Sequence, residues 1–85
     1  MDWDVKTVRP LPEHRLYVEL KDGRCGIFDL APYLEHGVFQ ELKDTAYFQR
    51  VGIQHGAVTW PHDQDIAPET LLAEMQPVQE MPAWR

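Results

Sequence analysis

The chain has 85 residues, a net charge of −6 and one cysteine. This length fits one domain and leaves no room for a second core, and a hydrophobic fraction of 44% excludes a disordered chain. Cys25 cannot form an intrachain disulfide, which argues against a small secreted fold. Because no segment has the pattern of a signal peptide or a membrane-spanning helix, a cytoplasmic protein is expected.

The negative charge is concentrated in the second part of the chain. Residues 28–85 hold three Lys or Arg and nine Asp or Glu, which accounts for the whole net charge. Phosphate contacts need clustered Lys and Arg, so direct nucleic-acid binding is not expected. Such acidity either serves solubility alone or indicates a basic protein partner.

The first elements predicted in chain order are strands. Residues 3–8 alternate loosely between apolar and polar side chains, and this strand is expected to end at Pro10-Leu11-Pro12. Residues 16–21 and 24–29 then flank Asp22-Gly23, a two-residue turn signature that predicts a β-hairpin.

A two-residue turn also predicts the register of this hairpin. Leu20 would face Cys25 and Val18 would face Ile27, forming one apolar face on which the thiol packs as a small hydrophobic group. The other face would pair Glu19 with Gly26 and Tyr17 with Phe28.

Short helical turns are predicted next. Ala31–Gly37 has Pro32 near its start and Gly37 at its end. A second short turn is expected over residues 38–42, and Asp44 is placed to cap a third over residues 45–50.

A second hairpin is predicted around His55-Gly56, with strands at residues 51–54 and 57–60. Its register pairs Ile53 with Val58 and Val51 with Trp60. Pro61 should end the second strand, because proline cannot donate a hydrogen bond to a ladder.

The last predicted element is a helix from Pro68 to about Met75, with an apolar stripe of Leu71, Leu72 and Met75. The tail 76–85 contains two prolines and no periodicity, and it is expected to be flexible. Trp84 in this tail either folds back onto the domain or forms an exposed anchor.

The predicted fold is therefore α+β, with residues 1–75 as a single domain. It consists of a small antiparallel sheet of two hairpins plus an N-terminal strand, short helical turns between them and one C-terminal helix. A small domain with an exposed strand edge also favours homodimerisation.

The sequence contains few of the residues and motifs that enzymes use for catalysis. The chain contains no serine, and its glycines are scattered singly rather than gathered in a phosphate-binding loop. We therefore expect no catalytic residues, no cofactor and no metal site. The alternative is a metal site, a small-ligand site or an enzyme using the segment after Trp60, where His62, Asp63 and Asp65 precede Glu69.

The same segment is the best candidate for an interaction surface, because it combines an aromatic residue with carboxylates that suit a basic partner. Trp60 itself is either part of this surface or an ordinary core residue. The candidate surface comprises Trp60, Pro61, His62, Asp63, Asp65 and Glu69.

Several motifs over residues 3–75 resemble, in their order and spacing, a bacterial family catalogued as domain of unknown function 2442. They are Trp3-Asp4-Val5, Val8-Arg9-Pro10-Leu11, residues 16–20, Asp22-Gly23-Arg24, Phe28-Asp29-Leu30, Pro32-Tyr33-Leu34, Gly37-Val38-Phe39 with Leu42, Trp60-Pro61 and residues 65–71. One departure is His62-Asp63, where the family often has an Asn-Gly type of turn.

The resemblance implies a small α+β domain. Some members carry a C-terminal helix-turn-helix domain, and others are encoded alone beside a second small protein, an arrangement typical of toxin–antitoxin pairs. This chain looks like the stand-alone form. The resemblance thus favours an antitoxin-like protein that binds a separately encoded, more basic partner, and it provides no catalytic residues.

Overall fold

The computed structural model describes residues 4–78, which form an α+β fold with two antiparallel sheets. The first sheet consists, in spatial order, of β1 (Val5–Leu11), β2 (Arg15–Leu20), β3 (Cys25–Asp29) and β7 (Gln76–Val78), and the second consists of β4 (Gly52–Gln54), β5 (Ala57–Thr59) and β6 (Asp65–Ile66). The α+β class is confirmed, although the two predicted hairpins lie in separate sheets rather than in one.

The helical elements are short. Two 3₁₀ helices, Ala31–Tyr33 and Gly37–Lys43, precede α1 (Thr45–Phe48), and α2 (Pro68–Glu74) follows β6. The Asp44 side chain accepts a hydrogen bond from the Ala46 N–H, which confirms its predicted capping role. The extent of α2 agrees with the predicted helix.

The first strand continues further than predicted. β1 runs through Pro10 to Leu11, and Pro10 pairs with Leu16 of β2. The strand does end within the predicted Pro10-Leu11-Pro12 segment, directly before Pro12, but it extends beyond the predicted residues 3–8. Pro10 is accommodated because β1 lies at the edge of its sheet, where a missing N–H is tolerated.

The hairpin formed by β2 and β3 is confirmed, but its predicted register is wrong by one residue. Glu19 pairs with Cys25 and Val18 pairs with Gly26. The Leu20 N–H bonds to the Arg24 carbonyl at 2.8 Å, so three residues form the loop instead of two. Gly23, at φ +96°, ends this loop in a conformation that glycine adopts readily.

This shift changes which side chains face the core. Leu16, Val18, Leu20 and Phe28 share the inner face, while Tyr17 and Cys25 are buried on the opposite face, outside the main core cluster. Burial of the Cys25 thiol is therefore confirmed, although it lies on the face opposite the core.

The second hairpin forms in its predicted register. Ile53 pairs with Val58, and both turn residues have positive φ, +53° for His55 and +78° for Gly56. Two successive positive φ values are the pattern of a type I′ turn, whose twist matches that of the strands it joins. The Val5 N–H bonds to the Gly56 carbonyl at 2.9 Å, which ties this turn to the first sheet.

The expectation of a flexible tail from Gln76 is wrong for its first three residues. Gln76–Val78 form β7 and pair with Ile27, Gly26 and Cys25 of β3. Pro77 fits because β7 is an edge strand. The remainder of the tail, including Trp84, lies outside the described residues.

The core lies between the inner face of the first sheet and the elements that follow it. Its other members come from the second 3₁₀ helix, α1, the second sheet and α2; they include Leu42, Tyr47, Phe48, Val58, Trp60, Ile66 and Leu71. Across residues 4–78, the helices are all too short or too polar to cross a membrane.

Candidate interaction surface

The connection between β5 and β6, residues 60–64, is called the Trp60 loop here. The Trp60 N–H bonds to the Gln64 carbonyl, and the Asp63 N–H bonds to the Trp60 carbonyl, each at 3.0 Å. Asp63 has φ +73°, a left-handed conformation that Asp tolerates better than most residues. The loop thus projects Pro61, His62 and Asp63 from one tight turn, and all three are exposed.

The buried ring of Trp60 anchors this loop to the core. Its ring is 3% exposed and stacks on Phe48 with the ring centroids 6.3 Å apart. The indole Nε1 donates to the Phe48 carbonyl at 2.9 Å, so its polar group is satisfied. Of the two roles considered for Trp60, the structure shows the core role, and the ring positions the exposed residues that follow it.

A buried glutamine connects the loop to the second 3₁₀ helix. Gln64 is 2% exposed, and its Nε2 donates to the Val38 carbonyl at 3.0 Å and to Glu41 Oε1 at 2.9 Å. Its Oε1 accepts from the Tyr47 hydroxyl at 2.7 Å. This side chain therefore joins three elements and satisfies its own hydrogen-bonding groups.

The His62 backbone and side chain complete the network. The His62 N–H donates to the Tyr47 hydroxyl oxygen at 2.8 Å, and its ring stacks on that of Tyr47 at 5.2 Å. His62 Nδ1 lies 2.6 Å from Glu41 Oε2. The loop is thus held by the backbone N–H of His62 and by its imidazole ring, which leaves the loop few alternative conformations.

Three carboxylates, one in the loop and two after it, make no such contacts. Within residues 4–78, Asp63, Asp65 and Glu69 have neither an ion pair nor a side-chain hydrogen bond, and all three side chains are exposed. The other carboxylates in this range are engaged with cations, hydroxyls, amides or other groups. The loop and its neighbours therefore present negative charge that the described chain does not neutralise.

An exposed apolar side chain lies on the element to which the loop is fixed. Val38 is 65% exposed, although its carbonyl accepts the hydrogen bond from buried Gln64. We call the exposed residues Pro61, His62, Asp63, Asp65, Glu69 and Val38 the acidic surface.

The metal-site alternative depends on the same residues. Among residues 4–78, no three His, Cys, Asp or Glu side chains come together in an arrangement that could hold a metal ion. The structure therefore does not bring His62, Asp63, Asp65 and Glu69 together as ligands of one ion.

Sequence reasoning did not identify Val38, Glu41, Tyr47 or Gln64 as part of this region. The hydrogen bonds that bring them together join residues 15 to 26 positions apart, so no local pattern marks them. A lone glutamine between two aspartates reads as part of a solvated loop. Its burial depends on the 3₁₀ helix that covers it.

The chain matches the model of a known family. The model of the family described as Protein of unknown function (DUF2442) matches residues 5–77. The chain belongs to this family. The match includes the whole acidic surface and both sheets except Val78, the last residue of β7. The resemblance noted in the sequence is therefore confirmed. No curated protein and no solved structure matches the chain.

Proposed function

We propose that this DUF2442 chain is a protein-interaction module that binds a separately encoded, basic protein through its acidic surface. In this proposal it acts as the antitoxin-like member of a two-gene pair. The observation that carries the proposal is the set of three carboxylates, Asp63, Asp65 and Glu69, that have no partner within residues 4–78. Lys or Arg side chains of a partner would pair with them.

The apolar part of the surface supports a protein partner over a free cation. Val38 offers an exposed aliphatic group, and Pro61 is exposed beside the charged residues. Binding energy at interfaces comes mainly from apolar contacts that exclude water, while rim charges set the orientation and the association rate. The acidic surface contains both kinds of group.

The rigidity of the Trp60 loop also supports binding. The backbone of His62 and the side chain of Gln64 are fixed by hydrogen bonds to Tyr47, Val38 and Glu41. A loop that is ordered before binding loses less conformational entropy when the partner arrives.

The first test is affinity purification of the tagged chain from lysate of its source organism, read by mass spectrometry. The expected result is one co-purified protein that is small, basic and stoichiometric. Recovery of the chain alone, under conditions in which known complexes survive, would contradict the proposal.

A pair of charge variants locates the interface. Asp63→Asn, Asp65→Asn and Glu69→Gln together remove three charges from the acidic surface, and Asn tolerates the positive φ of position 63. The matched control removes three charges elsewhere through Glu19→Gln, Asp22→Asn and Glu35→Gln. Partner affinity is expected to fall about tenfold or more in the first variant, equivalent to ~1.4 kcal/mol, and little in the control. Equal losses would show that only net charge matters.

The antitoxin-like role has a separate test. If the co-purified protein inhibits growth when produced alone, co-expression of this chain is expected to restore growth, and the three-charge variant should restore it less well. A partner with no effect on growth would leave the interaction module in place and remove the antitoxin role.

A further inference from the structure

One edge of the second sheet lies within the acidic surface. Its last strand, β6, pairs with β5 on one side, and among the described strands none pairs with it on the other. Asp65, in β6, and Ala67, directly after it, are both exposed. Because Asp65 belongs both to β6 and to the acidic surface, the free edge is part of the region that is proposed to bind the basic partner.

The pairing of β6 with β5 determines which backbone groups face this free edge. In antiparallel strands, residues that bond to the neighbouring strand alternate with residues whose backbone groups point away from it. The Trp60 N–H bonds to the Gln64 carbonyl at 3.0 Å, and the next residue, Asp65, pairs with Thr59. The N–H and the carbonyl of Asp65 therefore point away from β5.

Three backbone groups at the free edge have no hydrogen bond within residues 4–78. They are the N–H and the carbonyl of Asp65 and the N–H of Ala67, which is two residues further along and so on the same side. The Ala67 carbonyl, in contrast, accepts from the Thr70 and Leu71 N–H groups at the start of α2. Such a row of unpaired backbone groups is the template to which another strand adds.

The charges around the edge select the kind of strand. Asp63, Asp65 and Glu69 are the exposed carboxylates described above. A second copy paired through the same edge would place its carboxylates against these, and like charges across paired strands are destabilising. A segment with Lys or Arg at alternate positions would instead place its cations beside the carboxylates.

We propose that an extended, basic segment of the partner adds to β6 as a further antiparallel strand. This inference rests on the proposed function, to which it adds the mode of binding. The partner residue opposite Asp65 exchanges two hydrogen bonds with the Asp65 backbone, and the residue two positions before it accepts from the Ala67 N–H. The side chains of these two partner residues lie on the same face as the Asp65 carboxylate, so both are Lys or Arg.

The test uses as its probe a six-residue peptide that alternates lysine and valine, with both ends blocked. The backbone amides of the full chain are followed by NMR. The peptide is expected to shift the Asp65 and Ala67 amide resonances saturably and to slow the hydrogen exchange of both amides.

Two N-methylated forms of the peptide separate strand pairing from charge attraction. Methylation of the three lysine nitrogens removes the N–H groups that face the edge, whereas methylation of the three valine nitrogens removes N–H groups that face away from it. The two forms have the same charge and mass. The lysine-methylated form is expected to bind about tenfold more weakly than the valine-methylated form.

A variant tests the same edge from the side of the chain. Ala67→Pro removes one edge donor, and the fold should be retained because Ala67 has φ −67°, which proline adopts. Ala67→Val is the matched control, since it enlarges the side chain and keeps the N–H. Ala67→Pro should weaken peptide binding about tenfold, and Ala67→Val should bind as the original chain does. If Ala67→Pro does not fold, the two methylated peptides decide alone.

Two results would overturn the added strand. One is the absence of saturable shifts at Asp65 and Ala67, and the other is equal binding of the two methylated peptides, which would show charge attraction alone. Failure of the proposed function is a different result, namely that no partner co-purifies. If a partner is recovered but the Asp65 and Ala67 amides exchange as fast in the complex as in the free chain, the interaction module stands and the added strand is wrong.

Discussion

At the scale of single residues, Trp60 joins the core to the acidic surface. Its ring is buried against Phe48, and the loop that follows it carries the exposed groups. Substitution Trp60→Ala is expected to lower the free energy of unfolding by ~3–5 kcal/mol, because it leaves a large cavity and an unpaired Phe48 carbonyl. Urea unfolding followed by circular dichroism measures this effect. An unchanged midpoint together with a lost partner would instead assign Trp60 to the interface.

Gln64 offers a second test at this scale, because its amide makes three hydrogen bonds in a buried place. Gln64→Leu leaves the Tyr47 hydroxyl and the Val38 carbonyl without this partner, and it is expected to cost about 1–3 kcal/mol. Gln54→Leu, at an exposed position of β4, is the control and should stay within about 0.5 kcal/mol of the original chain. Similar unfolding midpoints for the two variants would show that the network contributes little.

At the scale of elements, the packing of β7 depends on the absence of a side chain at Gly26. A Cβ there would lie 2.7 Å from Met75 Cγ and Sδ and 2.9 Å from the Gln76 carbonyl oxygen. Gly26→Ala should therefore displace β7 and destabilise the domain by about 1–3 kcal/mol.

Gly52→Ala is the matched control for Gly26→Ala. A Cβ at Gly52 meets nothing within 4 Å, so this change should be close to neutral or slightly stabilising. Thermal unfolding of both variants, with hydrogen exchange of the β7 amides, gives the comparison. Equal effects of the two substitutions would contradict the role assigned to Gly26.

The two hairpins show how much of the fold could be predicted from the sequence. Both were found from a glycine between alternating segments, and the His55-Gly56 turn also gave the correct register. The Asp22-Gly23 turn did not, because Gly23 can end a three-residue loop as readily as a two-residue one. Choosing between them requires knowledge of which face is buried, and Met75 and Gln76 from a distant part of the chain help to decide that.

The candidate site was predictable only in part, for a similar reason. The exposed residues from Pro61 to Glu69 were identified because aromatic, proline and acidic residues occur together there. The residues that support them, Tyr47, Glu41 and Gln64, were not identified, because each contributes through contacts across 15 or more positions. Composition can indicate a surface, whereas the groups that hold it follow from tertiary packing.

At the scale of the whole molecule, stability should depend on pH through Tyr17. Burial, with smaller effects from Cys25 and Glu19, raises the pKa of Tyr17 from 10.0 to about 12 in the folded chain. Below pH 10 the phenol is neutral in both states, and its contribution is fully present. As the pH rises towards about 12, the unfolded chain loses this proton first, so the free energy of unfolding should fall.

Urea unfolding at several pH values above 9 tests this expectation, with Tyr17→Phe as the control. The variant lacks the phenol, so its stability should fall less steeply between pH 10 and pH 12. Parallel losses in the original chain and the Tyr17→Phe variant would assign the alkaline unfolding to other groups.

Homodimerisation stays a prediction, since the structure is that of one chain.

The hydrogen bonds that hold the Trp60 loop have a consequence for related sequences. Tyr47 and Gln64 contribute side chains to each other, whereas His62 contributes its backbone N–H to Tyr47. Any residue except proline can supply that N–H, so position 62 is less constrained than positions 47 and 64, although the His62 ring also contacts Tyr47 and Glu41. Positions 47 and 64 should instead change together across DUF2442 relatives, because either substitution alone leaves a polar group buried without a partner. The surface could thus adapt to different partners while the pair beneath it evolves as one unit.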